Sequence, residues 1–72
     1  EGVRAALVWS DATARLAREH NDANMMAVGA RQHSDDEAIA LIDAFLETPF
    51  SGDERHQRRI DLMTAYERSV RA

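Results

Sequence analysis

The 72-residue chain contains no cysteine and no lysine, a single proline and three glycines. Without cysteine there is no disulfide framework, no thiolate zinc site, no haem attachment and no thiol nucleophile. No apolar run approaches the roughly 20 residues that a membrane-spanning helix needs, and no basic segment leads into an apolar one, so neither a membrane nor a targeting signal is expected and the cytoplasm is the default location. GxGxxG, Walker and G-x-S-x-G patterns are missing too, which leaves nucleotide binding and serine hydrolysis without local support. Thirteen acids against nine bases give a net charge of −4, which disfavours nucleic acid and anionic lipid as partners. All nine bases are arginine, and five of them (Arg55, Arg58, Arg59, Arg68, Arg71) fall in the last quarter of the chain. A local anion site therefore survives the acidic total.

The length allows one small domain with a marginal core and excludes a second. The first residue is Glu1 rather than Met, and strand-like residues begin by the third position. The expected organisation is therefore that residues 1–72 form the C-terminal part of a single longer domain. Val3 to Trp9 is apolar apart from Arg4, and Met25 to Ala30 is apolar throughout, as buried strands of a parallel sheet are. Between them Ser10 or Asp11 can cap a helix in which Thr13, Ala14, Leu16 and Ala17 keep one side small. The block reads as a βαβ unit. Ser34-Asp35-Asp36-Glu37 has the S-x-x-E form of a capping box, and Ala38, Ile39, Leu41, Ile42, Phe45 and Leu46 follow at helical spacing until Pro49 imposes a break. Ser51-Gly52-Asp53 signals a third helix, and residues 54–71 hold neither glycine nor proline. The predicted fold class is α/β, in the order β-α-β-α-α. Two parallel strands do not make an independent sheet, so further strands are expected on the N-terminal side. Trp9, Met25 and Met26 are expected in the core.

The chemistry-bearing residues cluster late. At about 100° per residue, Arg55 and Arg59 lie about 40° apart on a helix, with Leu62, Met63, Tyr66 and Val70 on the same side. Such a face can pack on a partner while presenting two guanidiniums to a phosphate or carboxylate, or the arginines can be structural salt-bridge partners. His20-Asn21-Asp22 closes the first helix, where a histidine suits the helix dipole; it has no i, i+4 histidine partner, so metal is not expected. Arg31 follows the second strand at the carboxyl edge, where open α/β sheets place ligands, or else pairs with Asp35 or Asp36. The run Asp35 to Glu37 reads as a first turn complementing the helix dipole. His33 is expected to be exposed, and His56 to ride one residue off the Arg55 face.

Taken in order, GVRAAL with the following W-S, AREHNDAN, GAR, FLETPFSG and RHQRRID resemble the C-terminal half of the sugar-phosphate isomerases of the ribose-5-phosphate isomerase B type, a family that includes the galactose-6-phosphate isomerase subunits. The resemblance runs nearly end to end. It implies a Rossmann-like fold, a homodimer with active sites at the subunit interface, no metal or cofactor, and interconversion of ribose 5-phosphate and ribulose 5-phosphate through an enediolate. It further implies that His20 is the acid that opens the sugar ring, that Asn21 contacts sugar oxygens, and that Arg31, Arg55 and Arg59 bind the phosphate. The family's Asp-His pair, its Gly-rich anion loop and its Cys or Glu base have no counterpart in these residues, so the segment alone is expected to be inactive. Tetrulose, allose or galactose phosphate as substrate, or a non-catalytic dimerisation segment, are the alternatives. Because His20 closes a helix that returns to the amino edge of the sheet, it is expected to reach across a dimer interface into the neighbouring site.

Overall fold

The computed structural model describes residues 2–29 and 31–71. Strands β1 (Ala5–Val8) and β2 (Met25–Val28) pair in parallel, Ala5 opposite Met25 and Val8 opposite Val28. Helix α1 (Asp11–Asn21) connects them, and α2 (Asp35–Glu47) and α3 (Glu54–Arg71) follow. The expected order and the α/β class both stand.

Local chemistry sets each boundary. The Ser10 hydroxyl accepts from the Thr13 N–H at 3.1 Å, and Thr13 Oγ1 accepts in return from the Ser10 N–H at 3.0 Å. Ser34 and Glu37 form the same reciprocal pair at the start of α2. Each box is a device worth about 1 kcal/mol. Helix α2 ends at Glu47, ahead of Pro49, with Thr48 in an extended conformation. Gly52 adopts φ +73 in the turn before α3, a region that glycine enters without a Cβ penalty. The Asp53 carbonyl then accepts from the Gln57 N–H at 3.0 Å, starting α3.

Successive strand residues face opposite sides of the sheet, and the two sides differ. Ala6, Val8, Met26 and Val28 face a core made with Ala14 and Ala17 of α1, Ala23, and Leu41, Ala44 and Phe45 of α2. Alanines on α1 let its backbone lie close to the strands. On the other side Leu7 is 67% and Met25 55% exposed, and Trp9 just beyond β1 is 59% exposed. This corrects the expectation for Trp9 and Met25: only Met26, which turns inward, joins the core. Both faces are apolar, yet the helices cover one. On α2 the buried face is narrower than the expected stripe, because Ile39, Ile42 and Leu46 are exposed. Among the described residues no helix is long and apolar enough to cross a membrane.

Candidate functional site

The end of α1 is tied down more heavily than any other part of the chain that carries expected chemistry. Asp22 takes a left-handed conformation at φ 45, and its N–H is satisfied by the Ala17 and Arg18 carbonyls. Two arginines hold it there. Arg18 Nη1 donates to Asp22 Oδ1 at 2.7 Å and to the Ala23 carbonyl at 2.6 Å. Arg4 reaches from the start of β1 to the Asp22 carbonyl at 3.1 Å and, through Nε, to the Asn21 carbonyl at 3.0 Å. Arg18 Nε also donates to the Thr48 carbonyl at 3.1 Å, which fastens the end of α2 to α1. The backbone on both sides of His20 and Asn21 is thus fixed by charge-assisted bonds. The Asn21 side chain stays exposed.

Ser51 brings α3 to the same place. Its N–H donates to the Glu19 carbonyl at 3.1 Å, and its hydroxyl lies 2.9 Å from Nδ1 of His56. His56 is only 5% exposed, and its ring meets that of His20 with centroids 4.1 Å apart and planes at 31°. Arg55 precedes it on the first turn of α3; its N–H donates to Asp53 Oδ1 at 2.8 Å, while its guanidinium is exposed, 4.0 Å from Asp53 Oδ2. That N–H, and after it the charge of the Arg55 guanidinium, hold the Asp53 carboxyl below the usual aspartate range against a desolvation cost. Arg59 is exposed one turn further along α3, its side chain making no hydrogen bond or ion pair among the described residues. His20, Asn21, Arg55 and Arg59 therefore gather where α1 ends and α3 begins.

Arg31 lies elsewhere. It borders a pocket at the carboxyl edge of the strands with Leu7, Val8, Trp9, Gly29 and Gln32, and it is exposed and unpaired. The alternative pairing with Asp35 or Asp36 does not form. Because β2 runs between the two places and spans roughly 13 Å, Arg31 and His20 of one chain sit at opposite edges of the sheet.

One of the other two histidines departs from expectation. His33 is half-buried, in a hollow with Trp9, Ser10, Asp11, Glu37, Ala40 and Leu41. His56 lies off the Arg55 face, as expected, and turns inward with Ile60, one turn on, which is 6% exposed. The i, i+4, i+8 spacing of His56, Ile60 and half-buried Thr64 was the signal for it. The face holding Leu62, Met63, Tyr66 and Val70 is exposed, at 71% for Tyr66. Among the described residues no group of His, Cys, Asp or Glu could hold a metal ion.

A βαβ unit with parallel strands, a caged helix end and an arginine at the carboxyl edge has the arrangement of a Rossmann-like α/β fold. The chain belongs to the ribose/galactose isomerase family, whose sequence model matches residues 1–63. It is 54% identical over 71 residues to ribose-5-phosphate isomerase B of Mycolicibacterium paratuberculosis, a match that covers 99% of this chain and 45% of that protein. The type B ribose 5-phosphate isomerase of Trypanosoma cruzi superposes with a TM-score of 0.91 at 50% identity, covering 94% of this chain and 44% of that one. Ribose-5-phosphate isomerase B of Mycoplasma genitalium, solved with bound ribulose-5-phosphate, gives 0.87 at 49% identity over 93% of this chain and 43% of the other. The chain thus spans less than half the length of these relatives.

Proposed function

We propose that residues 1–72 are the C-terminal part of a single sugar-phosphate isomerase domain, and that the whole protein interconverts ribose 5-phosphate and ribulose 5-phosphate. The gathering of His20, Asn21 and Arg55 at one helix junction carries this reading, within a family of isomerases. Its chemistry starts from the closed furanose. His20 gives a proton to the ring oxygen as the bond from C1 to that oxygen breaks and the C1 hydroxyl loses its proton, which leaves an open-chain aldehyde. A base outside these residues then takes the C2 proton to form the enediolate; return of that proton to C1, with the O2 proton passing to O1, gives the ketose. Asn21 orients the sugar hydroxyls, and Arg31, Arg55 and Arg59 hold the phosphate with planar forks suited to bidentate binding. No cofactor takes part.

His20 and Arg31 of one chain stand too far apart to share a pentose phosphate. We therefore assign them to two different sites of a homodimer, with His20 and Asn21 reaching into the neighbour's site. The exposed Leu62, Met63, Tyr66 and Val70 face of α3 suits burial in such a dimer. A cytoplasmic location belongs to the same proposal. Another sugar phosphate of the same family, with a tetrulose, allose or galactose skeleton, would engage the same residues. Assaying the full-length protein on ribose 5-phosphate, allose 6-phosphate, galactose 6-phosphate and a tetrulose phosphate tests the reading. The largest kcat/KM is expected with ribose 5-phosphate. Absence of both turnover and phosphate-ester binding would leave the segment as a dimerisation module.

A further inference from the structure

We infer that Ser51 and His56 form a positioning pair that sets the ring orientation of His20, with His56 presented as a neutral imidazole protonated on Nε2. The inference rests on the ring-opening role proposed for His20 and adds the device that holds it.

Three observations converge on Ser51. Its N–H is spent on the Glu19 carbonyl, one residue before His20. Its hydroxyl oxygen accepts from the Asp53 N–H at 3.1 Å, and the same oxygen lies 2.9 Å from His56 Nδ1. A hydroxyl carries one proton and two lone pairs. With one lone pair engaged by Asp53, we assign its proton to the bond with Nδ1 of His56. The Nδ1 position is then unprotonated, and the proton of the neutral ring sits on Nε2. One residue thus fixes the tautomer of His56 and the distance between the loop and the end of α1.

The stack transmits this order. His56 is fixed in depth by its burial and in rotation by Ser51, and its ring covers one face of His20 at 4.1 Å between centroids. The half-buried His20 keeps its edges for the sugar. Asp53, Arg55 and Glu19 are the charged groups nearest the pair along its own elements. Arg4 and Arg18 both pair with Asp22, which leaves one positive charge in excess at that corner.

The test uses the full-length enzyme with Ser51→Ala, Ser51→Thr, His56→Phe and His20→Asn. Ser51→Ala should lower kcat on ribose 5-phosphate about tenfold with KM within about twofold, since a misaligned acid costs rate more than binding. Ser51→Thr should restore most of the rate, because it returns the hydroxyl. His56→Phe keeps a ring for stacking and loses Nδ1, and should fall by a similar factor. A tetrose 4-phosphate, which cannot close a furanose through its phosphorylated terminal oxygen, should lose several-fold less. Nitrogen NMR of labelled histidine should show His56 unprotonated at Nδ1, a signature that Ser51→Ala abolishes. A protonated Nδ1 in the wild type, an unchanged kcat in Ser51→Ala, or equal losses on the two sugars would overturn the pair. If His20→Asn is impaired while Ser51→Ala is not, the positioning pair alone fails; if His20→Asn is itself unimpaired, the ring-opening role fails and takes the pair with it.

Discussion

The two edges of the sheet are built on opposite plans. At the amino edge, where α1 ends, Arg4, Arg18, Asp22, Asn24, Ser51 and His56 are all paired, and the His20 ring rests on a buried neighbour. At the carboxyl edge Arg31 has no side-chain partner among the described residues and stands among the exposed Leu7 and Trp9. The proposed roles match this difference in preorganisation. An acid that must meet one oxygen at one angle gains from an orientation set in advance; a phosphate can be met by a guanidinium that folds onto it when it arrives.

Substitutions at each edge test that contrast. The largest effect is expected for His20→Asn in the full-length protein, a loss of about 100-fold or more in kcat on ribose 5-phosphate, with a tetrose phosphate largely spared. Steady-state assays on both sugars check it. Equal losses would show that the amino edge does something other than open a ring. Next come Arg31→Ala, Arg55→Ala and Arg59→Ala, each raising KM about 10- to 30-fold, as loss of a charge-assisted bond to a non-reacting phosphate should. Arg→Lys at these positions should recover only part of it. If KM does not move in any of the three, they are structural residues and the phosphate is held elsewhere.

The third effect is on stability. Arg18→Ala removes the donor from the Thr48 and Ala23 carbonyls and from Asp22 together, and also the packing over Phe45, whose ring centre lies 5.8 Å from the guanidinium carbon. A cost of about 1–2 kcal/mol is expected, seen as a thermal midpoint lowered by several degrees. Arg31→Ala should leave the midpoint unchanged. Similar losses in both would erase the distinction between a caged edge and an open one.

Much of this was legible in the residues, and the failures share a cause. Capping at Ser34 and the break at Pro49 are local chemistry, and they fell where the spacing put them. The α1 cap was narrowed from Ser10 or Asp11 to Ser10, because Thr13 at the third helical position returns its hydrogen bond. Trp9 and Met25 were misplaced because an apolar strand does not say which of its faces this chain's helices cover. The burial of His56 was not foreseen because the wide Leu62, Met63, Tyr66 and Val70 stripe outweighs the narrow His56, Ile60, Thr64 row, although the narrow row packs inward. The role of Arg18 depends on Thr48, thirty residues away, and no local pattern announces such a pair.

The smallest effect compares two carboxylates, one near each edge. Asp53 is lowered chiefly by the Arg55 N–H and to a smaller extent by the Arg55 charge, whereas Glu37, at the start of α2 beyond the carboxyl edge, is lowered chiefly by the Ser34 N–H and hydroxyl, with His33 a minor contributor. In both, the folded-state value is depressed. Each therefore contributes stability that is fully present above the ordinary carboxylate value and is lost as pH falls through the lowered one. The causes differ in their response to salt. Hydrogen bonds to neighbouring N–H groups survive it, while attraction to exposed charges is screened within a Debye length of about 3 Å at 1 M. Carbon NMR titration of the two carboxyls at low and high salt should show a small rise in the Asp53 value while that of Glu37 scarcely moves. The Asp53→Asn variant should match the wild type in stability once pH lies below the lowered Asp53 value and fall behind it at neutral pH. An equal salt response at Asp53 and Glu37 would mean that the Arg55 charge does not act on Asp53, and that both carboxyls are held by their hydrogen bonds alone.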